Sequence, residues 1–241
     1  MLTKTEAIVL HAFKYGETRM IVDMYTRVYG RLSFVVPLPQ SPKGRIKKQF
    51  FQPMTLLTIE VDVRPRQQLQ KLSHAAITLP LPSLQTHPSK LSITLFLAEF
   101  LYHALKGEQQ NEPLFDYVIS SLQWLDGAES GVANFHLVFV MRMSRFLGFF
   151  PYLDGYKPGC YFDLRASSFC LQPPVHRDLL MPDEAEKVQL MMRMDYATMH
   201  VFRLTQDDRR RLLEIVLNYY RIHLPAFPEL RSLGVLMELW G

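Results

Sequence analysis

The first 80 residues contain five short stretches typical of β-strands, and in three of them apolar side chains recur at every second position. The clearest alternation lies in 54–64, where one face of the pleat is apolar and the other becomes increasingly polar. Strands place successive side chains on opposite faces, so this pattern predicts half-buried β-strands. The strands are expected at 6–14, 18–27, about 30–38, 54–64 and about 67–78, with apolar positions that include Met20, Val22, Met24, Leu32, Phe34, Val36, Leu38, Leu57, Ile59 and Val61.

Two tight turns and one long polar connection separate the first four strands. Gly16 and Gly30 mark the turns, whereas 39–50 joins the third strand to the fourth. Five short strands with this connectivity fit a small closed barrel, which leaves no unpaired sheet edge. The sequence therefore predicts an OB-type barrel; a two-sheet sandwich is the alternative, but it usually needs more strands.

Beyond residue 80 the spacing of apolar residues becomes helical. The Pro-rich stretch 80–88 breaks the composition and is the best candidate for a linker. We therefore predict an α+β multidomain protein, with an OB-fold nucleic-acid-binding domain at 1–80 and an α-helical domain at 81–241. Its helices are expected along 91–105, at 113–125 and 132–147, from Pro182, from Thr205 to about His223 and at 229–239, with an irregular or hairpin insert at about 151–178.

Positive charge is concentrated in the first 80 residues. The whole chain carries a formal charge of +4, but 12 basic and 5 acidic residues give this part +7 and leave the remainder at −3. Such a module indicates a polyanionic partner. The strongest local signal is the loop 41–48, which has four cations and could follow a phosphate backbone: Lys43, Arg45, Lys47 and Lys48.

Other residues could extend this contact. Arg31, Arg64 and Arg66 would continue the basic track, and Tyr15 and Tyr29 lie at turns where their rings could stack on bases. The alternative for the loop is a solvated hairpin tip without a ligand. Arg209, Arg210 and Arg211 are either a second anion contact or a solvated helix face that pairs with nearby acids.

No motif in the sequence supports catalysis, a cofactor or a membrane span. The chain lacks a phosphate loop and a nucleophile elbow, and its histidines are scattered singly. Cys160, Cys170 and His176 are too few ligands for structural zinc. No apolar stretch has the length of a span and no signal core follows Met1. We therefore expect a soluble, cytoplasmic, nucleoid-associated protein that is not an enzyme, with no catalytic residues and no metal.

Several segments, in order, resemble the RecO family of bacterial DNA repair proteins. They are Ala7-Ile-Val-Leu10, Tyr15-Gly16-Glu17, Ile21-Val-Asp-Met-Tyr-Thr26, Gly30-Arg-Leu-Ser-Phe-Val-Val36, Gln52-Pro53 and Arg145-Phe-Leu-Gly-Phe-Phe-Pro151. The resemblance implies an OB-fold, a helical body and a zinc-finger-like insert. Many members have four cysteines in that insert, whereas this chain has two. We expect the insert to keep its shape without metal by packing four rings: Tyr156, Tyr161, Phe162 and Phe169.

The resemblance also implies a function. Members of the family load recombinase onto single strands covered by single-stranded-DNA-binding protein, anneal complementary strands and act with RecR. We therefore interpret the chain as a recombination mediator that binds single- and double-stranded DNA. Arg142 and Arg145, on the helix at 132–147, are the candidate site for the acidic tail of single-stranded-DNA-binding protein. The alternatives are an RNA-binding or ribosome-associated OB-fold module, or an assembly scaffold whose basic loop meets an acidic protein.

Overall fold

Five strands close into a barrel in the first of two units. The computed structural model describes residues 2–37 and 48–238, and the strands are β1 (Thr3–Tyr15), β2 (Arg19–Thr26), β3 (Gly30–Pro37), β4 (Leu56–Val61) and β5 (Leu69–Leu79). Their order is β1-β2-β3-β5-β4, and β1 pairs with β4 to close the sheet. Only the β3–β5 pair among these five strands is parallel. The predicted five-stranded OB-type barrel is confirmed.

The interior of the barrel is filled by the residues that the alternation marked as apolar. Met20, Val22 and Met24 of β2 pack with Phe34 and Val36 of β3. β4 adds Leu57, Ile59 and Val61 to the same core. Leu32, also predicted for β3, is partly buried and packs against this core, whereas Leu38 lies outside the described residues. The alternation of apolar residues at every second position therefore identified the inward face of three strands correctly.

A bulge in β1 changes which side chains face outward. Val9 lies opposite Met24 and His11 lies opposite Asp23, so Leu10 is inserted between consecutive pairs. One extra residue moves every following side chain to the other face. Val9 points into the core, and beyond the bulge it is Ala12 that packs against the core. Beyond the bulge, the β1 residues that lie opposite the outward-facing residues of β2 are therefore His11, Phe13 and Tyr15.

Three helices follow the barrel in the first unit, which comprises the described residues of 1–127 and 230–236 and so includes most of the last helix of the chain. They are α1 (Ser83–Thr86), α2 (Pro88–Ala104) and α3 (Glu112–Gly127). The proposed linker at 80–88 thus contains a helix and the start of another. Its Leu84 is buried, and the backbone N–H groups of Ser83 and Leu84 donate to a carboxylate oxygen of Asp126 at 2.8 and 3.1 Å.

Helical spacing of apolar residues along 91–105 does not decide by itself which side chains of α2 are buried. Leu95 is 38% exposed, whereas Lys90 is buried. The Lys90 ammonium donates to the Ser83 hydroxyl and the Asp126 carbonyl oxygen, both at 2.8 Å. These acceptors satisfy a charge that would otherwise be costly to bury. Sequence spacing could not reveal this arrangement, because Asp126 comes from the end of α3 and Ser83 from the start of α1.

An arginine joins the barrel to α3. The Arg27 guanidinium lies 2.8 Å from Glu6 and 2.7 Å from Asp116, and it stacks over the Phe115 ring at 4.6 Å. Beside it, the rings of Tyr25 and Phe115 are 5.9 Å apart. One part of the outer surface of the barrel is therefore covered by helix.

The second unit comprises residues 128–229 and 237–241. It contains α4 (Phe135–Phe146), α5 (Pro182–Arg193), α6 (Gln206–His223) and a small sheet of β6 (Tyr161–Asp163), β7 (Ser168–Cys170) and β8 (Leu179–Leu180), ordered β7-β6-β8. Pro182 opens α5, and Thr205 caps α6 in a reciprocal box with Asp208. The last helix, α7 (Ser232–Glu238), begins three residues later than predicted. Within 2–37 and 48–238, no helix is both long and apolar enough to cross a bilayer.

Two glycines test how tightly the barrel is packed. Gly16 and Gly30 both adopt positive φ, at +66° and +68°, but only Gly30 is crowded: a Cβ there would lie 2.5 Å from the Glu108 carbonyl oxygen. We expect Gly16→Ala to lower the free energy of unfolding by about 1 kcal/mol, since it adds only left-handed strain. Gly30→Ala should cost about 1–3 kcal/mol more, because of overpacking. Urea denaturation measures both, and equal reductions would contradict the crowding at Gly30.

Candidate nucleic-acid interface

The described residues on either side of the predicted basic loop are Pro37 and Lys48. Lys43, Arg45 and Lys47 lie outside the described residues, but the flanks of the loop do not. Pro37, at the end of β3, lies opposite Arg19, which in turn pairs with Tyr15. On the other side, Lys48 opens a 3-10 helix, Lys48–Phe51. The loop therefore leaves the barrel beside the β1–β2 turn.

The outer surface of β1, β2, β3 and β5 near that turn forms an open face. Its residues are aligned in two rows across the strands: Phe13, Ile21, Val35 and Lys71, then Tyr15, Arg19 and Pro37. Phe13 is 42% exposed and Tyr15 is 53% exposed. Ile21 and Val35 are half-buried, while Arg19 and Lys71 are exposed. Aromatic, aliphatic and cationic groups thus share one surface.

A polar cluster separates the open face from the part that the helices cover. The Asp23 carboxylate, almost buried, accepts a hydrogen bond from Ser33 and lies 3.7 Å from the His11 ring and 4.0 Å from Arg31. Burial by itself raises the pKa of Asp23, but the hydrogen bonds with His11 and Ser33 and the charge of Arg31 outweigh it and lower that pKa below its ordinary value. Asp23 is therefore a structural anion.

Arg31, a predicted phosphate contact, belongs to this cluster. Its guanidinium donates to the Tyr102 carbonyl oxygen at 2.5 Å and stacks over the Tyr102 ring at 4.2 Å. The side chain is only 14% exposed. These contacts attach β3 to α2, so the structure favours a structural role for Arg31.

Arg64 and Arg66 lie on the turn between β4 and β5, where the Arg64 side chain is 66% exposed and Arg66 is exposed as well. Gln70, which is buried, braces this turn: its amide accepts from the Arg64 N–H at 2.9 Å and donates to the Arg64 and Gln67 carbonyl oxygens at 3.1 and 2.6 Å. Because β5 runs parallel to β3 and its Leu69 pairs with Ser33, the turn precedes the open face on the side away from Pro37. The two arginines therefore lie at the opposite end of β3 from Pro37, the last described residue before the basic loop.

Of the two rings singled out at turns, one is available and one is not. Tyr15 is exposed, whereas the Tyr29 hydroxyl donates to Thr3 at 2.8 Å and its ring is half-buried. Phe13 was missed. Simple alternation from Ala7 and Val9 would point Phe13 into the core, and only the bulge at Leu10 turns it outward.

Comparison with known proteins identifies the chain at this point. Residues 1–80 match the model of the recombination protein O N-terminal domain, and 85–233 match that of its C-terminal domain. DNA repair protein RecO from Bacteroides fragilis strain ATCC 25285 is 48% identical over 241 residues, and the protein of that name from Phocaeicola vulgatus is 47% identical over 241; each match covers all of both chains. DNA repair protein RecO from Porphyromonas gingivalis strain W83 is 31% identical over 244 residues, again with full coverage.

The chain belongs to the RecO family. In the zinc-finger-like insert that the resemblance to RecO implied, three of the four expected rings are in contact. Phe169 makes edge-on contacts with Phe162 and Tyr156, with ring centroids 4.9 and 5.2 Å apart. Cys160 and Cys170 are free thiols. No group of three or more His, Cys, Asp or Glu side chains within 2–37 and 48–238 is arranged to hold a metal. The donors of this RecO insert therefore do not fit a tetrahedral zinc site.

The candidate tail-binding arginines of this RecO chain differ in their surroundings. Arg145, on α4, is exposed and lies over the Phe150 ring at 4.4 Å. Arg142 is half-buried and donates to the Met194 carbonyl oxygen at 3.2 Å. Arg145 thus combines a cation with an adjacent apolar surface.

The arginine run on α6 pairs with acids. Arg211 lies 2.5 Å from Glu184, and Arg210 lies 3.2 Å from Glu214. Arg209 donates to the Leu204 carbonyl oxygen at 2.7 Å. The structure thus favours local pairing over a second anion site.

The Asp23 cluster predicts a pH-dependent contribution to stability. Since the pKa of Asp23 is lower in the folded chain than its unfolded value of about 3.9, its stabilisation is complete above that value and disappears as the pH falls through the folded pKa. Asp23→Asn should cost about 1–3 kcal/mol near neutral pH, and this difference from wild type should shrink on acidification. Urea denaturation across the pH range measures it.

The control is Glu17→Gln, which removes an exposed carboxylate of the same barrel and should change the free energy of unfolding by less than about 0.5 kcal/mol. A difference between Asp23→Asn and wild type that stays constant as the pH falls would contradict the role given to the Asp23 carboxylate.

Proposed function

We propose that this protein is a recombination mediator in DNA repair. It anneals complementary strands and promotes loading of recombinase onto single-stranded DNA covered by single-stranded-DNA-binding protein. The observation that carries the proposal is the open face of a basic barrel, which includes Pro37, the last described residue before the loop at 41–48. Membership of a family whose relatives are named DNA repair protein RecO supports it.

The proposed mechanism is electrostatic. Lys43, Arg45, Lys47 and Lys48 bind phosphates and release condensed counterions. Arg64 and Arg66 supply charge at the other end of the open face, where Gln70 holds their turn in place. Arg31 is left out of the DNA contact because its guanidinium is held against Tyr102.

This mechanism needs no bond chemistry. Two complementary strands repel each other through their phosphates, and a cationic surface that binds one strand lowers that repulsion for the second. Annealing then follows from charge neutralisation alone. Recombinase loading requires a further step, the release or rearrangement of single-stranded-DNA-binding protein, for which we propose contact with its acidic tail. RecR is proposed as a partner on the family resemblance alone.

The phosphate contact is tested by the salt dependence of DNA binding. A variant with Ala at Lys43, Arg45, Lys47 and Lys48 is compared with wild type by fluorescence anisotropy of a labelled single-stranded oligonucleotide. The slope of log affinity against log salt concentration should flatten by about 0.7 for each phosphate that the variant no longer neutralises. Affinity for duplex DNA should fall as well, because the loop recognises charge and not base identity.

The matched control removes the same charge from the second unit: Ala at Lys157, Arg177, Arg193 and Arg203, all outside the buried core. It should keep the wild-type slope. Equal slopes for the loop variant and wild type would remove the DNA contact from this loop. Preference for an RNA oligomer of matched sequence would favour the RNA-binding alternative, and a wild type without affinity for either nucleic acid would favour the scaffold.

The partner tail is proposed to bind beside α4. The doubly reversed variant Arg142→Glu/Arg145→Glu should weaken binding of an acidic tail peptide by more than about tenfold, because it places like charges opposite each other. Peptide anisotropy measures this. The control Arg177→Glu/Arg203→Glu makes the same charge change at two positions of the same unit that lie outside its buried core, and it should bind normally. Unchanged affinity in the first variant would exclude this site.

A further inference from the structure

Two aromatic rings are exposed side by side on β1. Phe13 is 42% and Tyr15 is 53% exposed, although both belong to a strand of a closed, well-packed barrel. They are two residues apart on the outward side, and Ile21 and Val35 continue the Phe13 row across the sheet. Rings of this size in water carry a cost that burial elsewhere in the core would have avoided.

The backbone arranges for this exposure in two ways. The bulge at Leu10 shifts the alternation of β1, so that Phe13 and Tyr15 leave the inward side. Helix α2 covers the sheet only as far as His11, two residues before Phe13. The His11 ring lies 5.0 Å from the Tyr102 ring of α2 and 5.4 Å from the Phe13 ring. His11 thus supports the Phe13 ring from the covered side and leaves its far side open.

We propose that Phe13 and Tyr15 form a stacking platform for two unpaired bases of single-stranded DNA. The inference rests on the proposed function, and it adds to it the residues that contact bases and the form of DNA that the barrel prefers. Stacking on aromatic rings tolerates any sequence, since every base has a π-face. The platform therefore suits a protein that must act on any single strand.

The spacing of the two rings favours single strands over duplex. Residues two apart on a strand are separated by about 6.6–6.8 Å, which is roughly twice the 3.4 Å rise between stacked bases in one strand of duplex DNA. Bases laid on Phe13 and Tyr15 must therefore be unstacked from each other. A duplex offers base edges and phosphates to a protein, while its base faces cover one another.

The charges around the platform are placed for the backbone of such a strand. Arg19 is the cross-strand neighbour of Tyr15, and Lys71 ends the row that starts at Phe13. Glu17, in the β1–β2 turn, is exposed, whereas Asp23 is held by His11, Ser33 and Arg31. A DNA strand that runs along β1 would place one base on each ring and a phosphate near Arg19 on the neighbouring strand, while Lys71, three strands further across the sheet, could contact the backbone beyond the rings.

The test separates bases from phosphates. Wild-type protein is titrated with a thymidine oligonucleotide of about 12 residues, within the usual site size of an OB-fold, and with an abasic strand of the same length that keeps every phosphate. We expect tighter binding of the thymidine strand, by about tenfold for each stacked base. The double variant Phe13→Ala/Tyr15→Ala should lose this preference, while its salt slope and its affinity for duplex DNA stay as in wild type.

Three further variants separate the effect of the rings from an effect on folding. Phe13→Leu/Tyr15→Leu keeps apolar volume on the barrel surface but has no ring, so it should fold normally and lose the preference as the Ala variant does. Tyr15→Phe keeps the ring and should keep the preference. Tyr152→Ala removes a ring that is 67% exposed in the second unit, and it should bind like wild type.

The possible outcomes distinguish this inference from the proposed function. A thymidine preference that survives in both double variants overturns the platform. So does a wild type that binds both strands equally with a steep salt slope, although the phosphate contact would then stand. An equal loss of the preference for the thymidine strand in Tyr152→Ala would show that this preference does not depend on the rings of β1. A wild type that binds neither strand would overturn the platform and the proposed function together.

Discussion

The bulge at Leu10 is the local feature on which the rest of the first unit depends. The first half of β1 pairs with β4 and closes the barrel, while its second half pairs with β2 alone. A strand that pairs with two partners in this way must bend, and the inserted residue produces the bend. The same residue reverses the faces of everything that follows it. Closure of the core and exposure of Phe13 and Tyr15 are therefore two consequences of one backbone irregularity.

The outer surface of the barrel is divided by what covers it. On one side, the charges of Arg27 and Arg31 are directed into the unit, since each is stacked over a ring of a covering helix and lies within 4.0 Å of a carboxylate. On the other side, Arg19 and Lys71 remain exposed beside apolar groups. Net charge alone cannot distinguish these two kinds of cation. Their surroundings do, and they separate structural arginines from those that can meet a phosphate.

Much of the fold could be predicted because it follows from local periodicity. Alternation identified the strands and the core residues Val22, Phe34 and Ile59, and the capping box at Thr205 marked the start of α6. The errors have a common cause. Lys90 is buried because the acceptors for its ammonium come partly from the end of α3, which is distant in sequence. The helix within 80–88 was missed for the same reason, since Asp126 binds its N-terminus.

The amino-acid sequence by itself determined that the chain begins with a basic barrel, continues as helices and belongs to the RecO family, because periodicity, charge and family motifs are all local properties of the chain. Only the tertiary structure decided which basic and aromatic residues face solvent. That choice depends on a one-residue bulge, on where α2 stops covering the sheet and on which carboxylates reach Arg27 and Arg31. Most of these are contacts between segments far apart in sequence, and no local pattern encodes them.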